Sequence, residues 1–119
     1  MKKFIFASAL ALLMMSGCAD KMDVKVVDNS ISGDIDVLSV NERIQASSGL
    51  KEIQLHGEND TDEYIKLRYR IEWKDKDGFS VESLQSSWRE LPVYKNAEFN
   101  IRAIAPSKEA VKYMIYINK

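Results

Sequence analysis

The stretch Tyr64-Ile65-Lys66-Leu67-Arg68-Tyr69-Arg70-Ile71-Glu72-Trp73, followed by Lys74-Asp75-Lys76-Asp77-Gly78, decides how this chain is read. Ile65, Leu67, Tyr69, Ile71 and Trp73 alternate with Lys66, Arg68, Arg70 and Glu72. Successive side chains of a strand point to opposite faces, so the alternation predicts a half-buried strand with one apolar side. Asp75 to Gly78 then supplies hairpin chemistry, because Asp and Gly tolerate the backbone angles of tight turns. Phe79 and Val81 begin the predicted return strand.

The same period extends in both directions. Val37 to Gln45, Leu50 to His56, Trp88 to Tyr94, Phe99 to Ala103 and Val111 to Ile117 each read as short strands. Pro92 places its strand at an edge or a bulge. Pro106 to Ala110 reads as one helical turn capped by Ser107. About seven short strands over residues 35–119 predict an all-β, antiparallel, immunoglobulin-like two-sheet sandwich, with a small barrel as the alternative. Trp73 and Trp88 are the largest pieces available for its core.

Composition narrows the function classes. The chain has 119 residues, 17 basic and 18 acidic side chains, one His and one Cys. That length suits one domain. A near-neutral balance gives no electrostatic reason to expect nucleic acid. One Cys forbids an internal disulfide, and one His with one Cys cannot build a usual zinc site.

Residues 1–17 read as an address. Lys2 and Lys3 precede a run from Phe4 to Met15 that is apolar except for Ser8. Twelve helical residues rise about 18 Å, short of a hydrocarbon core of about 30 Å, so the run reads as a signal-peptide core. Met15-Ser16-Gly17-Cys18 then matches a bacterial lipobox. It predicts cleavage before Cys18, a diacylglyceryl group on its thiol and an acylated new amine. Each buried acyl CH₂ contributes about 0.8 kcal/mol, so several chains anchor the protein to a membrane. Ala19, rather than Asp, points to the periplasmic face of the outer membrane. Without Lys2 and Lys3 the mature chain is acidic, so no polybasic grip on headgroups supplements the acyl chains. Residues 18–34 carry turn clusters at Asp28-Asn29-Ser30 and Ser32-Gly33-Asp34 and read as a tether, with Val24, Val26 and Val27 fitting a short edge strand.

Leu67-Arg68-Tyr69-Arg70-Ile71-Glu72-Trp73, Asp75, Gly78, Trp88 and Ile104-Ala105-Pro106-Ser107 with Ala110 resemble the YcfL-like family of small bacterial periplasmic lipoproteins. The resemblance covers roughly residues 35–119, with the lipobox in the expected place. Ile71 stands where an aromatic is common and Lys74 where Tyr is common. The resemblance implies an immunoglobulin-like sandwich with no established activity, so it transfers no catalytic residue. Family genes often neighbour one for a lipoprotein activator of a penicillin-binding protein, which implies cell-wall synthesis machinery as a partner.

The residues themselves offer few chemical constellations. His56 has no second His to join it, and lipid consumes Cys18. No Gly-x-Ser-x-Gly elbow or Gly-rich phosphate loop occurs. Glu58, Asp60, Asp62 and Glu63 could offer oxygen ligands to Ca²⁺ but read as a solvated loop. Asp75 and Asp77-Gly78 echo an EF-hand loop, but that alignment puts Trp73 and Leu84 at ligand positions. Asn59-Asp60-Thr61 matches a glycosylation sequon without meaning in a bacterial lipoprotein.

Lys66, Arg68 and Arg70 form a positive row on the solvent side of the central strand, either paired with cross-strand Glu or gripping an anion. Trp88 either packs in the core or anchors a partner beside that row. The expected function is a non-enzymatic interaction module for another envelope protein, with no metal or cofactor. The alternative is a small-ligand binder whose Lys66, Arg68 and Arg70 meet an anionic group such as a peptidoglycan carboxylate.

Overall fold

The computed structural model describes residues 25–119. Cys18 and the leader expected over 1–17 lie outside the described residues. The central strand is β4 (Ile65–Lys74), and the other strands are β1 (Lys25–Val27), β2 (Ile35–Ile44), β3 (Lys51–Asn59), β5 (Ser80–Val81), β6 (Arg89–Val93), β7 (Glu98–Ile104) and β8 (Lys112–Asn118). They form a β-sandwich of a five-stranded and a three-stranded sheet. The three-stranded sheet runs β2-β3-β7. In the larger sheet β8 flanks β4 on one side, with β1 beyond it as an edge, while β5 and β6 each pair with β4. The described strands form two open sheets and do not close into a barrel. One pairing departs from the antiparallel expectation: β1 runs parallel to β8, with Val26 opposite Tyr116.

Alternation builds the core as expected. Ile65, Leu67, Ile71 and Trp73 of β4 are buried, facing inward with Ile115 and Ile117 of β8 and with Ile53, Leu55, Phe99 and Ile101 of the smaller sheet. The Asp75 turn forms as read. Its carboxylate accepts from the N–H groups of Asp77 (2.9 Å) and Phe79 (3.0 Å), and Gly78 sits at φ 89°, where only Gly is comfortable.

Four expectations are corrected. The tether read over 18–34 is folded into the domain from Lys25 onward, because β1 pairs with β8 and Ile31 is buried to 1% exposure. A short polar segment can be held this way when one apolar side chain inserts into the core. Trp88 is not core: it is 45% exposed, because it precedes β6 and lies against the outer face of the sheet. Residues Pro106 to Ala110 make a turn, Ala110 N–H to Ser107 carbonyl at 3.3 Å, but no helix. Ser107 Oγ is buried and bonds to nothing among the described residues, so it caps nothing. Among the described residues the single 3-10 turn is instead Leu84–Ser86, where Ser83 Oγ accepts from the Gln85 N–H.

Polar side chains close the sandwich at both ends. At one end Tyr113 of β8 donates to Glu42 of β2 at 2.8 Å, and Lys51 of β3 reaches the Val111 carbonyl at 2.8 Å. Burial and this bond to Glu42 push the Tyr113 phenol well above its usual range. At the other end Asn59, fully buried, donates to the carbonyls of Glu63 (2.9 Å), Val93 (3.3 Å) and Tyr94 (3.1 Å). Its Oδ1 accepts from the Thr61 N–H (2.9 Å) and hydroxyl (2.7 Å), leaving no buried polar atom of that side chain unpaired. Between the ends, Gln85 Oε1 accepts from Trp73 Nε1 and its Nε2 donates to the Ile104 carbonyl, both at 2.8 Å, so one side chain ties β4 to β7.

Gly57 gives the packing a direct test. A Cβ built there would lie 2.5 Å from Cζ of Phe99, which is opposite it on β7. Gly57→Ala is expected to destabilise the domain by about 1–3 kcal/mol, as overpacking does. Shortening the opposing ring with Phe99→Leu in the same chain should recover part of that loss. Urea unfolding of the two single variants and the double variant checks this, and strictly additive losses would refute it.

Candidate functional site

The outer face of β4 carries the residues singled out from the sequence. The parity that buries Leu67 and Ile71 turns Lys66, Arg68 and Arg70 outward. β6 and β8 flank them, with Arg68 opposite Glu90 and Arg70 opposite Tyr116. Trp88, one residue before β6, lies across the row. The Arg68 guanidinium carbon is 5.6 Å from its ring centroid and that of Arg70 is 5.3 Å away. Arg70 also lies 4.0 Å from the centroid of the Tyr116 ring. One guanidinium is thus shared by two aromatic rings, and one indole by two guanidiniums. Cation–π contacts at exposed sites contribute about 0.5–1 kcal/mol each, enough to order long side chains that would otherwise sample many rotamers.

Carboxylates complete the face. Arg70 Nη1 approaches Glu72 Oε2 at 3.4 Å, and Lys66 Nζ approaches Glu90 Oε2 at the same distance. A hydrogen bond to Glu72, followed by partial burial, raises the Tyr116 phenol above its ordinary value. Arg68 has no carboxylate partner among the described residues, so the face keeps an uncompensated cation beside its largest exposed ring. The structure therefore brings Lys66, Arg68, Arg70 and Trp88 together and adds Tyr116 and Glu72. Tyr116 was legible by parity, since it alternates with Ile115 and Ile117. Its meeting with Arg70 depended on the β4–β8 register, which a single strand pattern does not contain.

The other sequence candidates fall elsewhere. His56 lies half-buried on the outer face of the smaller sheet, with Nδ1 2.8 Å from Asn100 Oδ1 and Nε2 2.8 Å from Glu98 Oε1. Both ring nitrogens meet oxygens, which suits the doubly protonated ring. Its pKa is accordingly raised above the ordinary 6.5, first by the bond to Asn100 and then by that to Glu98. Glu58, Asp60, Asp62 and Glu63 do not converge: among the described residues no three acidic, His or Cys side chains gather as metal ligands. Asn59, at the head of the sequon, is a structural side chain.

Two features had no sequence signal. Glu52 is buried on the outer face of the smaller sheet and accepts from Arg43 Nε at 2.6 Å and from Arg102. These two guanidiniums hold its carboxyl below the usual range. Beside it, an open cleft of about 390 Å³ lies between the sheets, lined in part by Tyr69, Gln85, Arg89, Arg102 and Ile104.

A family model described as a protein of unknown function (DUF1425) matches residues 23–119. The chain is similar to the crystal structure of a DUF1425 family member from Shewanella sp. pv-4, at 24% identity and a TM-score of 0.64, over 71% of this chain and 77% of that one. It is also similar to the crystal structure of Campylobacter jejuni cj0090, at 20% identity and a TM-score of 0.67, over 81% of this chain and 97% of that one. At these identities the likeness concerns the fold alone. No curated protein matches the chain.

Two outcomes follow from this geometry. Trp88→Ala should cost at most about 1 kcal/mol of stability, because the ring is half in solvent, whereas Trp73→Ala should cost about 3–5 kcal/mol. Denaturant midpoints decide it, and equal losses would put Trp88 back in the core. His56 should make stability pH-dependent. A raised folded pKa gives a contribution fully present below the unfolded value, ordinarily 6.5, and lost as pH rises through the folded value. The midpoint should fall on that rise in the parent chain, and His56→Gln should flatten the fall.

Proposed function

This chain belongs to the DUF1425 family of proteins of unknown function, and from that premise we propose a role built on its own surface. It is a non-enzymatic interaction module of the bacterial envelope, and within the family it stands with the YcfL-like lipoproteins. Acyl chains on Cys18 hold it on the periplasmic face of the outer membrane. Arg68, Arg70, Trp88 and Tyr116 engage another envelope protein, with the cell-wall synthesis machinery the first place to look.

The observation that carries this reading is the shared stack of Arg70 between Trp88 and Tyr116, with Arg68 on the same indole. Arg, Trp and Tyr are the residue types that dominate interface energetics. Here Arg68, Arg70 and Tyr116 stand on strands, and Trp88, immediately before β6, is held against both guanidiniums, so little side-chain entropy remains to be lost on docking. The lipobox and Ala19 support the location.

A photo-reactive residue at Lys66 in the full lipidated chain tests this in intact cells. One reproducible envelope partner is expected. Trp88→Ala or Arg70→Ala should weaken its capture by roughly 30-fold, as loss of a hot spot of about 2 kcal/mol would. Capture no better than with Cys18→Ser, or capture indifferent to both substitutions, would overturn the proposal.

The inter-sheet cleft favours a second reading, binding of a small anionic ligand such as a peptidoglycan fragment. Arg89 and Arg102 line it together with Glu52, which holds Arg102, and the Arg89 guanidinium suits a carboxylate. That reading requires saturable, salt-sensitive binding of cell-wall fragments that Arg89→Ala abolishes, and flat titrations at low salt would reject it.

A further inference from the structure

The smaller sheet ends on β7, and among the described residues no strand lies on its far side. The register fixes which backbone groups face that open edge. Asn59 N–H donates to the Ala97 carbonyl at 2.9 Å, and Ala105 N–H donates to the Lys51 carbonyl at 2.7 Å. Between these two bonds the register with β3 is unbroken. Odd-numbered residues of β7 therefore exchange bonds with β3, and even-numbered ones point away, as an antiparallel ladder requires. The bond from Gln85 Nε2 to the outward Ile104 carbonyl agrees and closes the C-terminal end. Glu98, Asn100 and Arg102 are left with N–H and C=O groups on an open edge.

Proteins commonly blunt such an edge with charged side chains, Pro, a bulge or a very short strand. β7 has seven residues, Glu98–Ile104, with no Pro and no bulge. Its charges, Glu98 and Arg102, repel an arbitrary strand but form a self-complementary set. Glu98 and Arg102 lie at equal distances on either side of Asn100 and carry opposite signs. We propose that β7 pairs antiparallel with β7 of a second copy of this chain about a two-fold axis at Asn100, joining two three-stranded sheets into one of six.

In that pairing Glu98 stands opposite the partner's Arg102, Arg102 opposite the partner's Glu98, and Asn100 opposite the partner's Asn100. All three are hydrogen-bonded pairs, because their backbone groups already face outward. Moving the axis to Glu98 or to Arg102 would instead set like charges opposite each other, which destabilises a sheet. The protomer also holds both charges in unbalanced settings. Glu98 lies directly opposite Glu58, a like-charge pair relieved among the described residues only by His56. Arg102 shares the single Glu52 carboxylate with Arg43, so that cluster keeps a positive surplus. A second copy brings each surplus to its opposite. The surface is separate from the Arg68–Trp88 face, which belongs to the other sheet, so the two inferences stand or fall separately.

A cysteine at the axis tests the pairing in the full chain. Residues of a hydrogen-bonded antiparallel pair have Cα atoms about 5.5 Å apart, inside the range of about 4.4–6.8 Å that a disulfide spans. Gln54→Cys is the control, because β3 lies one strand further from the axis and strands are about 4.8 Å apart. The parent chain, whose single cysteine is Cys18, sets the background. Under mild oxidation of intact envelopes, Asn100→Cys should give a disulfide-linked dimer about tenfold above Gln54→Cys, reflecting the local concentration of paired thiols. Adding Glu98→Arg should bring it down to the control. Equal dimer from Asn100→Cys and Gln54→Cys, or a dimer indifferent to Glu98→Arg, would overturn the pairing.

Discussion

β4 must satisfy three neighbours at once, and the molecule is arranged around that requirement. β8 runs along it from Arg68 to Lys74, while β6 takes Ile65 to Tyr69 and β5 takes Trp73 and Lys74 on the other side. A slip of one residue in any of these ladders would turn Lys66, Arg68 and Arg70 into the core. Burying an unpaired cation costs several kcal/mol, so the register has one solution. The same solution holds Arg68 and Arg70 out in the company of Trp88 and Tyr116. The core and the candidate interaction face are thus two sides of one constraint.

The ends of the sandwich obey a different rule, because hydrophobic burial has no direction and cannot align two sheets by itself. Tyr113 and Glu42 bridge one end, the five bonds of Asn59 pin the other, and Gln85 spans the flank between Trp73 and Ile104. These are directional contacts with both partners satisfied, the condition under which buried polar groups specify one arrangement. Ser107 Oγ departs from that pattern.

The readings that failed did so for physical reasons. Trp88 looked like core because a large indole supplies so much apolar area. It lies outside because two guanidiniums offer its faces an alternative to burial. The segment before Ile35 looked like a tether because its turn residues outnumber its apolar ones. Pairing of β1 with β8 and burial of Ile31 draw it in. Asn59 read as part of a meaningless sequon, since its partners Val93 and Tyr94 are more than thirty residues away. Glu52 gave no signal because Arg102 is fifty residues distant in sequence.

The sequence by itself determined the approximate position of most strands, the buried face of β3, β4, β7 and β8, the Asp75 turn and the outward row of Lys66, Arg68 and Arg70. Each of these rests on period-two alternation or local turn chemistry, which operate between residues close along the chain. Only the tertiary structure decided which strands are neighbours, and with that the parallel docking of β1, the stacking of Arg70 between Trp88 and Tyr116, and the open edge of β7. Those features depend on register between distant segments. Register is set by the summed packing and hydrogen bonding of the whole sandwich, and no single segment of the sequence contains it.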